Sequence, residues 1–140
     1  MIMEQQKVFL DTNILIDLLC HRECCAEAAT VINMGIEGRI LIFCSSLTIA
    51  NCVYNCRKVL GKSKTTELLN LLCKYIKIAP CGQAEVDAAF AHKGNDFEDS
   101  LQYSSALSIA ADVILTRNGK HFGFSTIPVM DCTEFLTQLK

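Results

Sequence analysis

The chain has 140 residues, which is long enough to bury the core of one domain. Apolar residues make up 51% and charged residues 20%, a balance that excludes a disordered chain. The net charge of −2 argues against a broad basic surface for nucleic acid. No apolar run is long enough to span a bilayer, and residues 1–7 lack an apolar signal core. We therefore expect a cytoplasmic protein without membrane contact.

Segments with strand character alternate with segments of helical periodicity along the chain. The predicted strands are 7–10, 40–43, 75–78, 113–115 and 127–129. The predicted helices are 13–20, 24–36, 46–60, 64–73, 83–91, 97–110 and 132–138. This alternation predicts a single α/β domain over residues 1–140, a three-layer α/β/α sandwich with a mostly parallel central sheet of about five strands. Right-handed crossovers would place all strand carboxyl ends at one edge of that sheet.

The first polar junction follows the apolar segment Val8-Phe9-Leu10 and consists of Asp11, Thr12 and Asn13. A carboxylate at the carboxyl end of a parallel strand lies where such folds bind ligands, so Asp11 is a candidate metal ligand or acid–base group. Asp, Thr and Asn are also ordinary helix N-caps, and a strand-to-helix turn needs one. Taken alone, this junction fits both interpretations.

A second cluster, Asn95-Asp96-Phe97-Glu98-Asp99, opens the helix predicted over 97–110. Asp96 and Asp99 are three residues apart and can project from one side of the first turn. Capping explains one or two acids at this place. Three acids within four residues would repel one another unless they shared a cation. We expect Glu98 to point away from Asp99, towards solvent. The helix face behind Asp99 is expected to press on the sheet through Tyr103, Ala106 and Ala110.

Two further polar clusters follow predicted strands. Residues 116–121, Thr-Arg-Asn-Gly-Lys-His, come directly after strand 113–115, and residues 45–51 follow strand 40–43 and end in Asn51. Carboxylates and carboxamides at one edge form an oxygen-rich site suited to Mg²⁺ or Mn²⁺. Such an ion can activate water for attack on a phosphodiester.

The nine cysteines allow two interpretations. Cys20, Cys24 and Cys25 flank His21 and suggest zinc, but no second pair with zinc-ligand spacing follows. The odd number of cysteines and the absence of an export signal argue against a disulfide scaffold. Cys52 and Cys56 are one helical turn apart, a spacing that also suits packing. We expect free structural thiols.

Several enzyme classes are disfavoured by missing motifs. No Gly-x-Gly-x-x-Gly, Walker or Gly-x-Ser-x-Gly sequence follows a strand. A receiver domain needs an Asp after its third strand, where residues 79–82 read Ala-Pro-Cys-Gly. A phosphatase of the haloacid dehalogenase type needs Asp-x-Asp after the first strand, but Asn13 occupies the second position.

In combination these motifs resemble the PIN domain, the fold of many bacterial toxin ribonucleases of the VapC type. Residues 8–13, Val-Phe-Leu-Asp-Thr-Asn, resemble its opening. Residues 96–102 followed by 113–118 resemble its second half, and the similarity extends from Val8 to about Phe135.

The resemblance implies a metal-dependent endoribonuclease that hydrolyses RNA with water activated by Mg²⁺ or Mn²⁺. Asp11 and Asp99 would be catalytic metal ligands, Asp96 an auxiliary catalytic acid, and Asn118 a further metal contact. The expected substrate contacts are Asn13, Asn51, Thr116, Arg117, Lys120 and His121. If the chain is a toxin, its partners would be RNA and a small antitoxin protein, and it would form a homodimer through its early helices.

Two positions depart from the family pattern. Asn51 stands where a Glu is common, and Asn118, followed by His121, stands where acids are common. An Asn can coordinate a hard cation but brings no negative charge, so ion affinity should be weaker. The alternative is therefore a PIN-fold interaction module whose catalytic activity is weakened or lost.

Overall fold

The computed structural model describes residues 5–92 and 96–139, in which helices pack on both faces of a five-stranded sheet. The strands are β1 (Gln6–Leu10), β2 (Ile40–Ser45), β3 (Ile76–Ala79), β4 (Val113–Leu115) and β5 (Val129–Met130). The helices are α1 (Thr12–Leu19), α2 (Cys25–Ile36), α3 (Ser46–Leu60), α4 (Lys62–Leu72), α5 (Gln83–Ala91), α6 (Phe97–Ser108) and α7 (Cys132–Gln138). Within the two described ranges, none of the helices combines the length and the apolar character that crossing a membrane requires.

The strand order is β3-β2-β1-β4-β5, and all four pairings are parallel. β1 is the central strand: Val8 is in register with Ile42 of β2 and with Val113 of β4. The residues that follow β1 therefore lie between the ends of its two neighbours. This arrangement confirms the predicted parallel sheet and places Asp11 at the middle of its carboxyl edge.

Alternating side chains of the strands build two cores, one on each face of the sheet. Val8 and Leu10 of β1 join the larger core with residues of α1, α2, α3, α4 and α7. Phe9 of β1 points to the other face, where Tyr103 and Ala106 of α6 cover it. The sheet and its two helical layers form the predicted three-layer sandwich.

The structure shifts several predicted boundaries by one or two residues and adds one short helix. β5 begins at Val129 rather than at residue 127, because Pro128 has no N–H to donate to the sheet. α6 ends at Ser108, and the exposed Ala110 has a φ of 52°, so it lies beyond the helix and does not press on the sheet as expected. Tyr103 and Ala106 are buried as predicted. A short 3₁₀ helix over Gly119–Phe122 was not predicted.

The cysteines are free thiols, as expected, and several belong to the larger core. Cys20 and Cys56 lie with their Sγ atoms 3.3 Å apart, joining the end of α1 to α3. Burial raises the pKa of the Cys44 thiol to about 12, which keeps it protonated and apolar in character. Packing therefore accounts for these buried residues.

Gly35 of α2 allows the helix to approach β2 closely. An added Cβ would stand 2.4 Å from Cδ1 and 2.9 Å from Cγ1 of the buried Ile42. We expect Gly35→Ala to lower the free energy of unfolding by about 1–2 kcal/mol, since overpacking outweighs the better helix propensity of Ala. Urea unfolding measures this loss.

The matched control for this change is Gly119→Ala, whose Cβ would meet only Val129 Cγ1 at 3.9 Å. Adding Ile42→Val to Gly35→Ala should restore part of the stability by removing the obstructing methyl group. An unchanged free energy of unfolding in Gly35→Ala would show that α2 does not approach β2 this closely.

Candidate active site

Asp11 caps α1 and also faces the carboxyl edge of the sheet. Its Oδ1 accepts a hydrogen bond from the Thr12 N–H at 2.9 Å, and its own N–H donates to the carbonyl oxygen of Leu115 at 2.9 Å. Its Oδ2 accepts from Thr116 Oγ1 at 2.8 Å and from Asn13 Nδ2 at 3.2 Å. The two interpretations of this junction are thus compatible, because one oxygen serves the cap and the other belongs to a polar cluster.

The environment of Asp11 disfavours the charged form of its carboxyl. The residue is only 8% exposed, and this burial raises the pKa of its carboxyl. The hydrogen bonds from Thr116 and Thr12, and the charge of His121, offset part of the rise. Hydrogen bonds hold this carboxylate in one orientation, and its negative charge is only partly compensated, so it is suited to bind a cation.

The turn after β4 is tied to Asp11 by side-chain hydrogen bonds. Thr116, expected to contact the substrate, is 1% exposed and orients Asp11 through its hydrogen bond. Its contact with a substrate stays a prediction. Asn13 donates to Thr116 Oγ1 and accepts from the Arg117 N–H, each at 3.2 Å. The Asn118 N–H donates to Thr116 Oγ1 at 3.1 Å. Thr116 and Asn13 thus hold residues 116–118 beside the acid.

A buried polar network that the sequence did not reveal lies beneath Asp11. Gln102 of α6 accepts a hydrogen bond from Ser45 Oγ at 2.6 Å. Its Nε2 donates to Thr48 Oγ1 at 2.7 Å and to Thr12 Oγ1 at 3.1 Å. All four side chains are buried. The network fixes the first turns of α1 and α3 against α6, and Gln102 also helps to lower the pKa of Asp11.

The first turn of α6 supplies further acids. Asp96 caps the helix, and its Oδ1 accepts from the Asp99 N–H at 3.2 Å. Partial burial, followed by the charges of Asp11 and Asp96, raises the pKa of Asp99 to about 6. Asp99 therefore lies close enough to Asp11 and Asp96 for their charges to act on it. Asn95 of the same cluster lies outside the described residues.

Glu98 belongs to this acidic group, contrary to the expectation that it points away. The residue is exposed as expected, but its Oε1 accepts a hydrogen bond from Asn51 Nδ2 of α3 at 2.9 Å. Its pKa is raised by partial burial and by the charges of Asp11 and Asp96, and the Asn51 bond offsets part of that rise. Nothing in the sequence signals this pair, because the two residues lie 47 positions apart.

Lys120 and His121 of the 3₁₀ helix line a cavity of about 320 Å³ together with Asp96 and Asp99. His121 Nδ1 lies 3.5 Å from Asp99 Oδ2. Lys120 and His121 are both exposed. The cavity therefore combines two acids with two side chains that can carry positive charge.

Arg117, a predicted substrate contact, forms an ion pair within the protein. Its Nε lies 2.6 Å from Oδ2 of Asp17 in α1, and the side chain of Asp17 is 1% exposed. Among the described residues this pair is the only polar contact of the Asp17 carboxylate. Arg117 thus anchors the turn after β4 to α1, and its contact with a substrate stays a prediction.

The donor set suits a hard divalent cation. Oxygen ligands and an excess of negative charge are what Mg²⁺ and Mn²⁺ require. In residues 5–92 and 96–139, no three His, Cys, Asp or Glu side chains stand close enough together to form a complete cage. Mg²⁺ usually binds through one or two carboxylates and keeps several waters, so an open pair of acids is compatible with it.

The comparisons with known proteins agree with this geometry. The PIN domain family matches residues 7–120 of the chain. Ribonuclease VapC1 of Aquifex aeolicus (strain VF5) is 28% identical over 139 residues, covering 95% of each chain.

Solved structures of toxin–antitoxin proteins share the fold. DNA-bound VapBC from Salmonella typhimurium has a TM-score of 0.67 at 17% identity, covering 91% of this chain and 99% of that one. A toxin–antitoxin complex from Klebsiella pneumoniae has a TM-score of 0.66 at 24% identity, covering 89% and 97%. Because the family match extends over most of the chain and the fold agrees, the protein belongs to the PIN domain family.

Proposed function

We propose that this protein is an endoribonuclease that hydrolyses RNA phosphodiester bonds with the help of Mg²⁺ or Mn²⁺, and that it is the toxin of a toxin–antitoxin pair. The observation that carries the proposal is the acidic start of α6: Asp96 and Asp99 line one cavity with Lys120 and His121, and partial burial, followed by the charges of Asp11 and Asp96, raises the pKa of Asp99 to about 6. The similarity to a protein named ribonuclease VapC1 along nearly the whole chain supports the same activity.

Asp11 and Asp99 are the residues that would hold the ion, with Asp96 as auxiliary acid and Asn118 as a neutral oxygen ligand. Thr116 and Thr12 fix the carboxylate of Asp11 through hydrogen bonds. Gln102 fixes the helices that carry the acids, which keeps the two carboxylates at a constant separation. When bound, such an ion lowers the pKa of water and stabilises the negative charge that develops on a phosphodiester.

The RNA backbone would be held by charge rather than by base recognition. Lys120 and His121 are exposed, line the cavity together with the acids and can contact phosphate oxygens. The side chains of Asn13 and Asn51 form hydrogen bonds within the protein. The first role that we assign to them is therefore to position other residues of the site, and contact with RNA comes second. Because the chain has a net charge of −2 and no broad basic surface is expected, Lys120 and His121 are the basic groups that we assign to the site.

A PIN-fold module without catalysis is the second candidate, and Asn51 and Asn118 favour it. Glu98 weighs against it, because its carboxylate lies against Asn51 and within range of Asp11. Titration with Mn²⁺ followed by calorimetry distinguishes the two. No heat of binding at millimolar Mn²⁺ would support the non-catalytic module.

An antitoxin is the protein partner we propose, by extension from the VapBC structures that share the fold. We further propose that the chain forms a homodimer through its early helices. Co-expression with the product of a short adjoining reading frame tests the first point, and sedimentation velocity tests the second. A chain that remains monomeric at all concentrations would contradict the dimer.

The central test is an RNase assay in Mn²⁺ with the intact chain and with Asp11→Asn. We expect cleavage by the intact chain and its loss in the variant, because the amide retains hydrogen-bonding capacity but removes the charge. Circular dichroism checks that the variant is folded. Equal cleavage by both proteins would contradict the assignment of Asp11.

The raised pKa values predict how Mn²⁺ affects thermal stability. Asp11 and Asp99 are protonated more readily in the folded chain than in the unfolded one, since the pKa of Asp99 rises from 3.8 to about 6. The stability that these protons contribute is present below about pH 4 and is lost as the pH rises through about 6. Mn²⁺ supplies the missing positive charge, so it should raise Tm more at about pH 7.5 than at about pH 5.

The control for this measurement is NaCl at matched ionic strength, which screens charge without occupying a site. An equal rise in Tm at both pH values would show that the ion does not bind where the acids repel one another.

A further inference from the structure

Phe90 and Phe97 form an exposed aromatic pair beside the acidic cavity. Phe90 of α5 is 74% exposed and Phe97, the first residue of α6, is 45% exposed. Their ring centroids are 4.8 Å apart with an interplanar angle of 40°. The two rings touch each other but leave most of the Phe90 surface in water, so packing of α5 on α6 does not account for its side chain.

The pair is continuous with the proposed cleavage site. Phe97 is the chain neighbour of Asp96 and Glu98, and Asp99 lies in the same first turn of α6. Asp96 and Asp99 line a cavity together with Lys120 and His121. One end of α6 thus brings together an aromatic surface, acids for a cation and, in the same cavity, groups that can hold phosphate.

We propose that Phe90 and Phe97 form a stacking platform for an unpaired nucleobase of the RNA, next to the bond that is cleaved. The inference rests on the proposed nuclease function and adds a subsite to it. Every base has an aromatic face, and stacking on exposed rings is the usual way in which proteins hold single strands. In a duplex these faces are covered, so the platform selects unpaired RNA.

A binding experiment in the cleavage-deficient Asp11→Asn background tests the platform. The probe is a short single-stranded oligoribonucleotide with 2-aminopurine at successive positions, titrated in Mn²⁺. Phe90→Leu keeps apolar area but removes the aromatic face, whereas Phe90→Tyr keeps the ring. Leu107→Ala, a change at an exposed apolar residue at the far end of α6, is the control; Leu107 is 48% exposed.

We expect Phe90→Leu to weaken RNA binding about 5- to 100-fold and to abolish the quenching of 2-aminopurine, since one stacked base contributes about 1–3 kcal/mol. Phe90→Tyr should restore both, and Leu107→Ala should leave both unchanged. Unaltered binding and quenching in Phe90→Leu would overturn the platform while leaving the nuclease proposal intact.

Two further outcomes would also overturn it. If sedimentation velocity shows that Phe90→Leu dissociates a dimer without affecting RNA binding, the pair is a contact between copies of the chain. If the intact chain neither cleaves nor binds RNA, the nuclease proposal fails first and the platform fails with it.

Discussion

Asp99→Asn is expected to reduce Mn²⁺-stimulated RNA cleavage by about 100-fold or more. Loss of a partner that merely orients a metal ligand typically costs about 10- to 100-fold, so loss of a ligand's charge should cost at least as much. The same change removes a carboxylate whose charge is disfavoured by partial burial and by the charges of Asp11 and Asp96, which together raise its pKa to about 6, so Tm in metal-free buffer near neutral pH should rise. A fluorescent RNA assay and a thermal melt measure the two effects.

A loss of cleavage together with a rise in Tm would indicate that Asp99 is a metal ligand, because misfolding would lower both quantities. Asp87→Asn is the matched control, because Asp87 is an exposed acid of α5 whose carboxylate accepts only from Gln83 of the same helix among the described residues. Glu98→Gln should fall between the two variants if Glu98 contributes charge to the ion. Unchanged cleavage in Asp99→Asn would remove Asp99 from the site.

Arg117→Ala is expected to lower the free energy of unfolding by about 3 kcal/mol. The substitution leaves the buried carboxylate of Asp17 without its ion-pair partner, and an uncompensated buried charge typically costs about 3–5 kcal/mol. We take the lower end because the Arg117 side chain is 36% exposed and already partly screened by solvent. Urea unfolding near neutral pH measures the loss.

The double variant Asp17→Asn, Arg117→Ala should recover part of this stability, because no buried charge remains. Arg22→Ala, an exposed arginine near the same helix end, should change stability by less than about 0.5 kcal/mol. A loss below about 0.5 kcal/mol in Arg117→Ala would place the pair among surface salt bridges. In that case the side chain would be free to contact RNA, as the sequence first suggested.

Most of the fold followed from periodicity. The alternation of short apolar segments with amphipathic ones predicted all five strands and seven helices, with shifts of at most two residues at their ends. The failures are local. β5 begins later than predicted because of Pro128, and α6 ends before Ala110, which has a positive φ. The pattern missed both ends because the effect of a single residue on the backbone is a weak signal in a periodic sequence.

The candidate site was predictable where polar residues directly follow strands or open a helix. Asp11 and the turn after β4 satisfied the first rule, and Asp99 the second. The contacts of Glu98 and Gln102 followed neither rule, because their partners lie 47 to 90 positions away in the sequence, and no local pattern specifies such pairs. The burial of Thr116 and its hydrogen bond to Asp11 were not predicted, since burial cannot be read from the immediate neighbours of a residue.

The bond between Asn51 and Glu98 has a consequence for how related chains are compared. Negative charge beside α3 is supplied here by α6, so an acid at one place in space need not come from one place in the sequence. A motif that demands a Glu in α3 would classify such a chain as inactive. The number of carboxylates that meet at the sheet edge is the better criterion, because the ion responds to charge and distance and not to the helix that provides them.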